Sequence, residues 1–145
     1  MNIPVKVLNA RAHLPIRGSE FAAGYDLYAA IEHPVLIRPH ETEKIGTGLS
    51  FELPENTFAA IFARSGLATK KGLRPANCVG ICDSDYRGEY LVAVHNDSEL
   101  TQMIEPGERI AQMILMPFIP MEFTEFESLS NTERDNGGFG STGEK

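Results

Sequence analysis

The feature that most constrains this chain is a succession of short apolar runs with a period of two. From Lys44 to Leu53, the residues Ile45, Thr47, Leu49, Phe51 and Leu53 alternate with small or polar ones. This is the pattern of a strand with one buried face. Tyr90, Val92 and Val94 repeat it within Glu89–His95, and Ile3–Leu8, Pro34–Arg38, Thr57–Ala63, Arg109–Met116 and Met121–Phe126 are further β-rich runs. Turn chemistry separates them about every ten residues, as in Pro54-Glu55-Asn56, Arg87-Gly88-Glu89 and Glu105-Pro106-Gly107-Glu108. Such spacing predicts an all-β sandwich or barrel. One segment reads as a helix, Ser65–Lys71, with Ser65 as its N-cap and Gly72 as its stop. The apolar run that ends at Asp83 turns and returns along Glu89–His95, which reads as a β-hairpin. The last segment, Glu127–Lys145, has four glycines and few large apolar residues, so it reads as a flexible tail on a single domain.

Charge and cysteine usage narrow the function. A net charge of -7 suits neither DNA nor RNA, whose affinity rests on a basic face. An anionic small ligand remains open if a basic or glycine-lined site, aided by a cation, overcomes the global repulsion. Cys78 and Cys82 lie four residues apart, roughly 13 Å along a strand, beyond the about 7 Å Cα separation that a disulfide tolerates. Without further ligands nearby they read as two small buried side chains in a reducing compartment. The N-terminus lacks a signal-peptide profile, and no apolar run approaches the roughly 18 residues of a membrane helix. The expectation is a soluble cytoplasmic protein that binds neither nucleic acid nor membrane.

Five segments carry candidate chemistry. In the tail, Gly138-Phe139-Gly140-Ser141-Thr142-Gly143 matches G-x-G-x-x-G, but no strand precedes it and no helix follows, which excludes a dinucleotide fold. Its physical content survives: closely spaced glycines admit a phosphate to backbone N–H groups, and Ser141 and Thr142 add hydroxyls. Arg134 adds a bidentate cation and Phe139 a flat face for a base, so the tail resembles a lid that orders on a nucleotide. Arg64-Ser65-Gly66 opens the helical segment and points donors outward. Asp26 stands in the apolar stretch Ala23–Ala30, where a carboxylate must be paired, hold a hydrated metal, or bond its own backbone in a turn. Asp83 and Tyr86 sit in the turn Cys82-Asp83-Ser84-Asp85-Tyr86-Arg87-Gly88, whose polar backbone can read the edge of a base. Tyr86 can pack on a sugar, so that a 2′-hydroxyl would lose its hydrogen bonds against the ring. Gln112 is a polar residue within an apolar strand, open to a core amide reading as well as a ligand contact.

In this order, the five segments resemble the five motifs of the homotrimeric dUTPase family, and the resemblance spans nearly the whole chain. It implies a distorted jelly-roll β fold with one short helix, divided into a β domain at 1–126 and a lid at 127–145. It implies a homotrimer whose active sites lie between subunits. It also implies Mg²⁺-dependent hydrolysis of dUTP to dUMP and pyrophosphate, which limits uracil in DNA and supplies dUMP for dTMP synthesis. Asp83 matches the general base that activates water for attack at the α-phosphorus; an ordinary carboxylate is ionised near neutral pH and can accept that proton. Asn77, Gly80, Ile81, Cys82 and Leu91 match the uracil-reading hairpin, and Tyr86 matches the residue under deoxyribose. Arg64, Ser65, Gly66 and Gln112 match phosphate contacts. Asp26 matches a carboxylate that holds water on the metal without ligating it. Arg134, Gly138, Ser141 and Thr142 match phosphate donors of the lid, with Phe139 stacking on the base.

Two positions depart from that pattern. Cys82 replaces an aliphatic residue, and Asp135 stands beside Arg134 where glycine is usual and could compete for that arginine. A dCTP deaminase shares the resemblance in fold, but its motif places a catalytic glutamate where this chain has Ala93. A nucleotide-sensing trimer without catalysis would need neither Asp83 nor a complete lid.

Overall fold

Long-range strand pairing sets the architecture of this chain. The computed structural model describes residues 1–138. Along the chain come β1 (Val5–Val7), β2 (Ile16–Arg17), β3 (Tyr25–Tyr28), β4 (Val35–Ile37), β5 (Thr42–Gly46), β6 (Leu49–Phe51) and β7 (Thr57–Phe62). After helix α1 (Ser65–Lys71) follow β8 (Leu73–Pro75), β9 (Gly80–Asp83), β10 (Leu91–Asn96), β11 (Gln102–Ile104) and β12 (Arg109–Pro117). A five-stranded sheet has the order β2-β3-β12-β7-β9, and a three-stranded sheet has the order β5-β10-β8. Two ribbons, β1-β6 and β11-β4, complete the strands. Among the described residues no sheet closes on itself, so the all-β expectation resolves to a sandwich and not a closed barrel.

The inner faces share one core. Leu27, Ile37, Leu49 and Ile104 are fully buried in it, with Ile45 and Leu73 nearly so. Each such side chain contributes roughly 1.5–3 kcal/mol by burial. Helix α1 packs Leu67 inward and places Lys70 and Lys71 at its C-terminus, where the helix dipole favours cations.

The helix spans the expected residues, but its cap differs. Arg64 occupies the N-cap with extended backbone and no side-chain cap bond, and Ser65 is the first helical residue. Gly72 stops the helix in the left-handed region as expected, at φ 66°. The alternating run Lys44–Leu53 is two strands, because the backbone breaks at Gly48 with φ 67°. A Cβ there would press on Ala12 and Asn9 at under 3 Å, so only glycine fits. Past the break, β6 leaves β5 and pairs with β1. Met121–Phe126 forms no strand, since its exposed residues find no partner strand among the described residues. The cysteines are free, as expected, but not both buried: Cys78 is exposed, and Cys82 packs half-buried against the core.

The largest correction concerns the hairpin. β9 pairs with β7, while β10 pairs with β5 and β8. The two limbs around Asp83 and Tyr86 therefore belong to different sheets and diverge.

Candidate active site

Where the limbs diverge, they leave a pocket of about 280 Å³. β9 is the edge strand of its sheet, and β10 meets β8 only from Val94 onward. Apart from the Ala93 carbonyl, which accepts from the Ala76 N–H at 2.8 Å, backbone along both limbs therefore faces the gap without a strand partner, ready to pair with the edge of a flat polar ligand. Asn77, Gly80, Ile81, Cys82, Asp83, Tyr86 and Leu91 all line this gap. Register explains how they divide the work. Cys82 lies opposite Ala59 and points to the core, whereas Ile81 and Asp83 point to the outer face of the sheet.

The turn between the limbs is held from several sides. The Tyr86 N–H donates to the Asp83 carbonyl at 3.2 Å, and Arg87 donates to the Ser84 carbonyl at 2.6 Å. The Ser50 hydroxyl donates to the Arg87 carbonyl at 2.7 Å, which ties the turn to β6. Tyr86 donates its hydroxyl to the Glu89 carbonyl at 3.1 Å and lies across Gly88. A Cβ at Gly88 would run into the Tyr86 ring and hydroxyl, so glycine is required for the ring to lie there. Glu89 in turn accepts the Gly48 N–H at 2.7 Å. Tyr86 stays about half exposed, with its ring available to the pocket.

Behind the pocket, Tyr90 packs on Phe51 with ring centroids 4.5 Å apart. Its buried hydroxyl has no hydrogen-bond partner among the described residues. Burial, followed by the nearby Cys82 thiol, pushes this phenol well above its ordinary pKa, although the pair lacks hydrogen-bond geometry. Burial and the Asp83 charge likewise raise the Cys82 thiol, which marks it as an inert thiol and not a nucleophile. Tyr90→Phe is expected to stabilise the fold by about 1 kcal/mol, because an unsatisfied buried hydroxyl carries a desolvation cost. Urea unfolding measures this, and a clear loss of stability would show that the hydroxyl is satisfied.

A second cluster forms on the same outer face. Asp26 on β3 is buried, and its carboxylate accepts from Arg64 Nε at 2.8 Å and from Arg109 Nη1 at 3.2 Å. Of the alternatives open to Asp26, the structure shows ion pairing, by Arg64 at the N-cap of α1 and Arg109 on β12. Two cations against one carboxylate leave local positive charge in an acidic protein. Gln112 lies directly opposite Asp26 and donates to the Ala63 carbonyl at 2.9 Å, which keeps one amide N–H free.

Sequence reasoning did not single out Arg109. A β-bulge places it there: the register shifts between Arg109 and Ala111, so Arg109 faces Tyr28 on the outer side while Ile110 and Ala111 both turn inward. The visible signal is the pair Ile110-Ala111, two adjacent apolar residues in an otherwise alternating strand. Gly66 opens helix α1 with free space where a Cβ would stand and no positive φ, so nothing within the described chain demands glycine there.

The structure does not bring the two clusters together. Asp83 lies opposite Phe58 on β7, whereas Gln112 lies opposite Phe62, four residues or roughly 13 Å along the strand. Asp26 stands three strands away from β9, and it draws Arg64 toward itself. Arg134 and Gly138 do not line the pocket. Arg134 donates to the Gly137 carbonyl at 2.8 Å and forms no ion pair with Asp135 among the described residues. Phe139, Ser141 and Thr142 lie outside the described residues.

A model of the dUTPase family matches residues 10–143. The chain belongs to the dUTPase family. It is 47% identical to the deoxyuridine 5'-triphosphate nucleotidohydrolase of Hydrogenobaculum sp. strain Y04AAS1, with 100% of both chains covered. The enzyme of the same name from Desulfitobacterium hafniense strain DSM 10664 / DCB-2 is 46% identical, covering 98% of this chain and 97% of that one. Among solved structures, a variant of the Staphylococcus bacteriophage 80alpha dUTPase with dUpNHpp superposes with a TM-score of 0.85 at 26% identity, covering 98% of each chain. Another variant of that phage dUTPase gives a TM-score of 0.88 at 28% identity, covering 97% of this chain and 98% of that one. The chain thus shares the overall fold of these phage dUTPases.

Proposed function

We propose that this protein hydrolyses dUTP to dUMP and pyrophosphate. The observation that carries this reading is the pocket between β9 and β10, which gathers a base-sized gap, an aromatic ring and an outward carboxylate. The nucleotidohydrolase names of the relatives, and the binding of dUpNHpp by the phage dUTPase, agree with it. Unpaired backbone on the two limbs, together with Asn77, reads the uracil edge. Tyr86 packs under the deoxyribose. Asp83 accepts a proton from water as that water attacks the α-phosphorus. The bond to the bridging oxygen breaks, and pyrophosphate leaves.

Arg64, Arg109, Gln112 and the first-turn N–H groups at Ser65 and Gly66 stabilise the phosphates. Their distance from Asp83 within one chain supports a site completed by a second copy. Two further features support the homotrimer. Phe118, Ile119, Met121, Phe123 and Phe126 extend from the body with exposed side chains. The body also carries an apolar groove of about 500 Å³ between Ile3, Leu14, Tyr25, Phe51 and Met113, which this arm does not line. An arm and a groove of matching chemistry fit each other between copies. Residues 127–145 act as the lid, with Arg134, Gly138, Ser141 and Thr142 on the phosphates and Phe139 on the base.

Magnesium fits this site only indirectly. No group of three or more potential ligands exists among the described residues, and both Asp26 oxygens already face arginines. Each of these oxygens keeps a lone pair for a metal-bound water, so Asp26 can hold the hydrated ion while the triphosphate ligates it. When bound, Mg²⁺ neutralises phosphate charge. No described helix is long and apolar enough to cross a membrane. A cytoplasmic setting, where thiols stay reduced, suits the two free cysteines.

The deciding assay incubates the protein with dUTP, dCTP, dTTP and UTP plus Mg²⁺ and measures pyrophosphate and ammonia. Pyrophosphate from dUTP alone is the expected result. Ammonia from dCTP would favour a deaminase, but Ala93 lines the pocket and brings no carboxylate. No product from any of the four would leave a nucleotide-sensing protein. Tyr86→Ala is expected to lower the dUTP-over-UTP ratio of kcat/KM roughly tenfold, by giving the 2′-hydroxyl room and water. An unchanged ratio counts against sugar packing.

A further inference from the structure

Arg74 stands outside the pocket, yet it organises one wall of it. Its neighbours on β8, Leu73 and Pro75, are buried, so Arg74 points outward. There its fork meets Asp97, just past β10, with Nε–Oδ2 at 2.6 Å and Nη2–Oδ1 at 2.9 Å. This is the bidentate geometry that guanidinium and carboxylate share. The Asp97 N–H donates to the Gly72 carbonyl at 2.8 Å, which fixes the partner in place.

The remaining nitrogen turns back on the chain. Nη1 donates to the Pro75 carbonyl at 3.1 Å and the Ala76 carbonyl at 3.3 Å, and approaches Cys78 Sγ at 3.8 Å. These three acceptors belong to one tight turn. Within it, the Cys78 N–H donates to the Pro75 carbonyl at 3.0 Å, and Cys78 itself sits at φ 63°, a conformation that non-glycine residues adopt only when held. Among the described residues, Arg74 is the one side chain that bonds this turn. Asn77 is in the same turn and lines the pocket.

We propose that Arg74, braced by Asp97, is a positioning residue for nucleobase recognition: it holds the Pro75–Cys78 turn so that Asn77 keeps its place on the pocket rim. The inference rests on the dUTP-hydrolysing reading and adds a determinant of its substrate binding. Arg74 touches no substrate; it acts through Asn77. Lysine cannot replace it, because an ammonium cannot grip Asp97 bidentately and reach two carbonyls at once.

Steady-state kinetics with dUTP, combined with backbone hydrogen exchange, test this on Arg74→Ala, Arg74→Lys and Asp97→Ala. Arg74→Ala is expected to raise KM roughly tenfold while kcat stays within about threefold, the signature of lost binding and not lost chemistry. Exchange should quicken at residues 76–79 and stay unchanged in β12. Arg74→Lys and Asp97→Ala should raise KM by smaller factors. A KM for Arg74→Ala within twofold of wild type overturns the inference. So does a loss carried by kcat with exchange quickened throughout the fold, which marks a merely structural role. Should Arg74→Ala not fold, wild-type KM values in both other variants overturn it. Wild-type protein that fails to turn over dUTP sinks the functional reading and this inference together, whereas active wild type with an unaffected Arg74→Ala sinks this inference alone.

Discussion

Asp83→Asn is expected to lower kcat for dUTP by roughly 10²–10⁴-fold, the range that a positioned general base supplies. The substitution keeps the shape of the side chain and removes its capacity to accept a proton at neutral pH. The fold should be indifferent to it. Asp83 is exposed at the end of an edge strand and forms no ion pair among the described residues, so no partner is left unpaired. Binding should survive as well, because the backbone limbs, Asn77 and Tyr86 are untouched. The checks are kcat by pyrophosphate release and dUTP affinity by calorimetry. A variant with near-normal kcat would remove Asp83 from its role, and loss of affinity with the fold intact would make it a binding residue instead.

Removal of Arg134–Lys145 is the second large effect. The last strand among the described residues ends at Pro117, and none of the described residues beyond it is buried, so the truncated chain should fold with unfolding temperature little changed. Catalysis should fall in kcat/KM by roughly 10²-fold or more if these residues act as the proposed lid, supplying phosphate donors and excluding water at the moment of reaction. In the structure Arg134 Nε donates to the Gly137 carbonyl, which leaves the other guanidinium N–H groups for the phosphate contact proposed for it. Thermal unfolding and steady-state kinetics on the truncated protein decide the matter. Full activity without these residues would falsify the lid.

Local chemistry was legible in the sequence wherever it needed no distant partner. Helix α1 is the clearest case: glycine at the right place stops it, whatever surrounds it. The site segments were legible for a related reason, since Asn77, Asp83 and Tyr86 lie within ten residues and one turn carries them to a common gap. What the sequence hid depended on pairing across the fold. Alternation in Glu89–His95 shows that the segment is a strand, but nothing in it tells that its neighbours are β5 and β8 and not the adjacent β9. Met121–Phe126 reads as a β-rich run too, yet such a run makes a strand only when another edge is present to bond it. The Arg109 pair with Asp26 was hidden by a bulge that exchanges the two faces of one strand over a single residue. Ser65 failed as a cap because its side chain makes no cap bond while the preceding arginine, drawn to Asp26, takes the capping position.

Because the two limbs of the pocket belong to different sheets, the width of the gap is a property of the whole sandwich and not of a loop. A nucleotide bound there, as proposed, would act as a strut between two layers that also meet through side-chain packing and backbone bonds such as Ala30 N–H to the Gly46 carbonyl at 2.8 Å. Ligand affinity and resistance to unfolding are then linked in both directions. Core residues that do not line the pocket, such as Leu73 on β8 or Ile104 on β11, would become silent partners in substrate affinity. Drift in a protein of this kind would reach its enzymology through its packing, without a single change at the site.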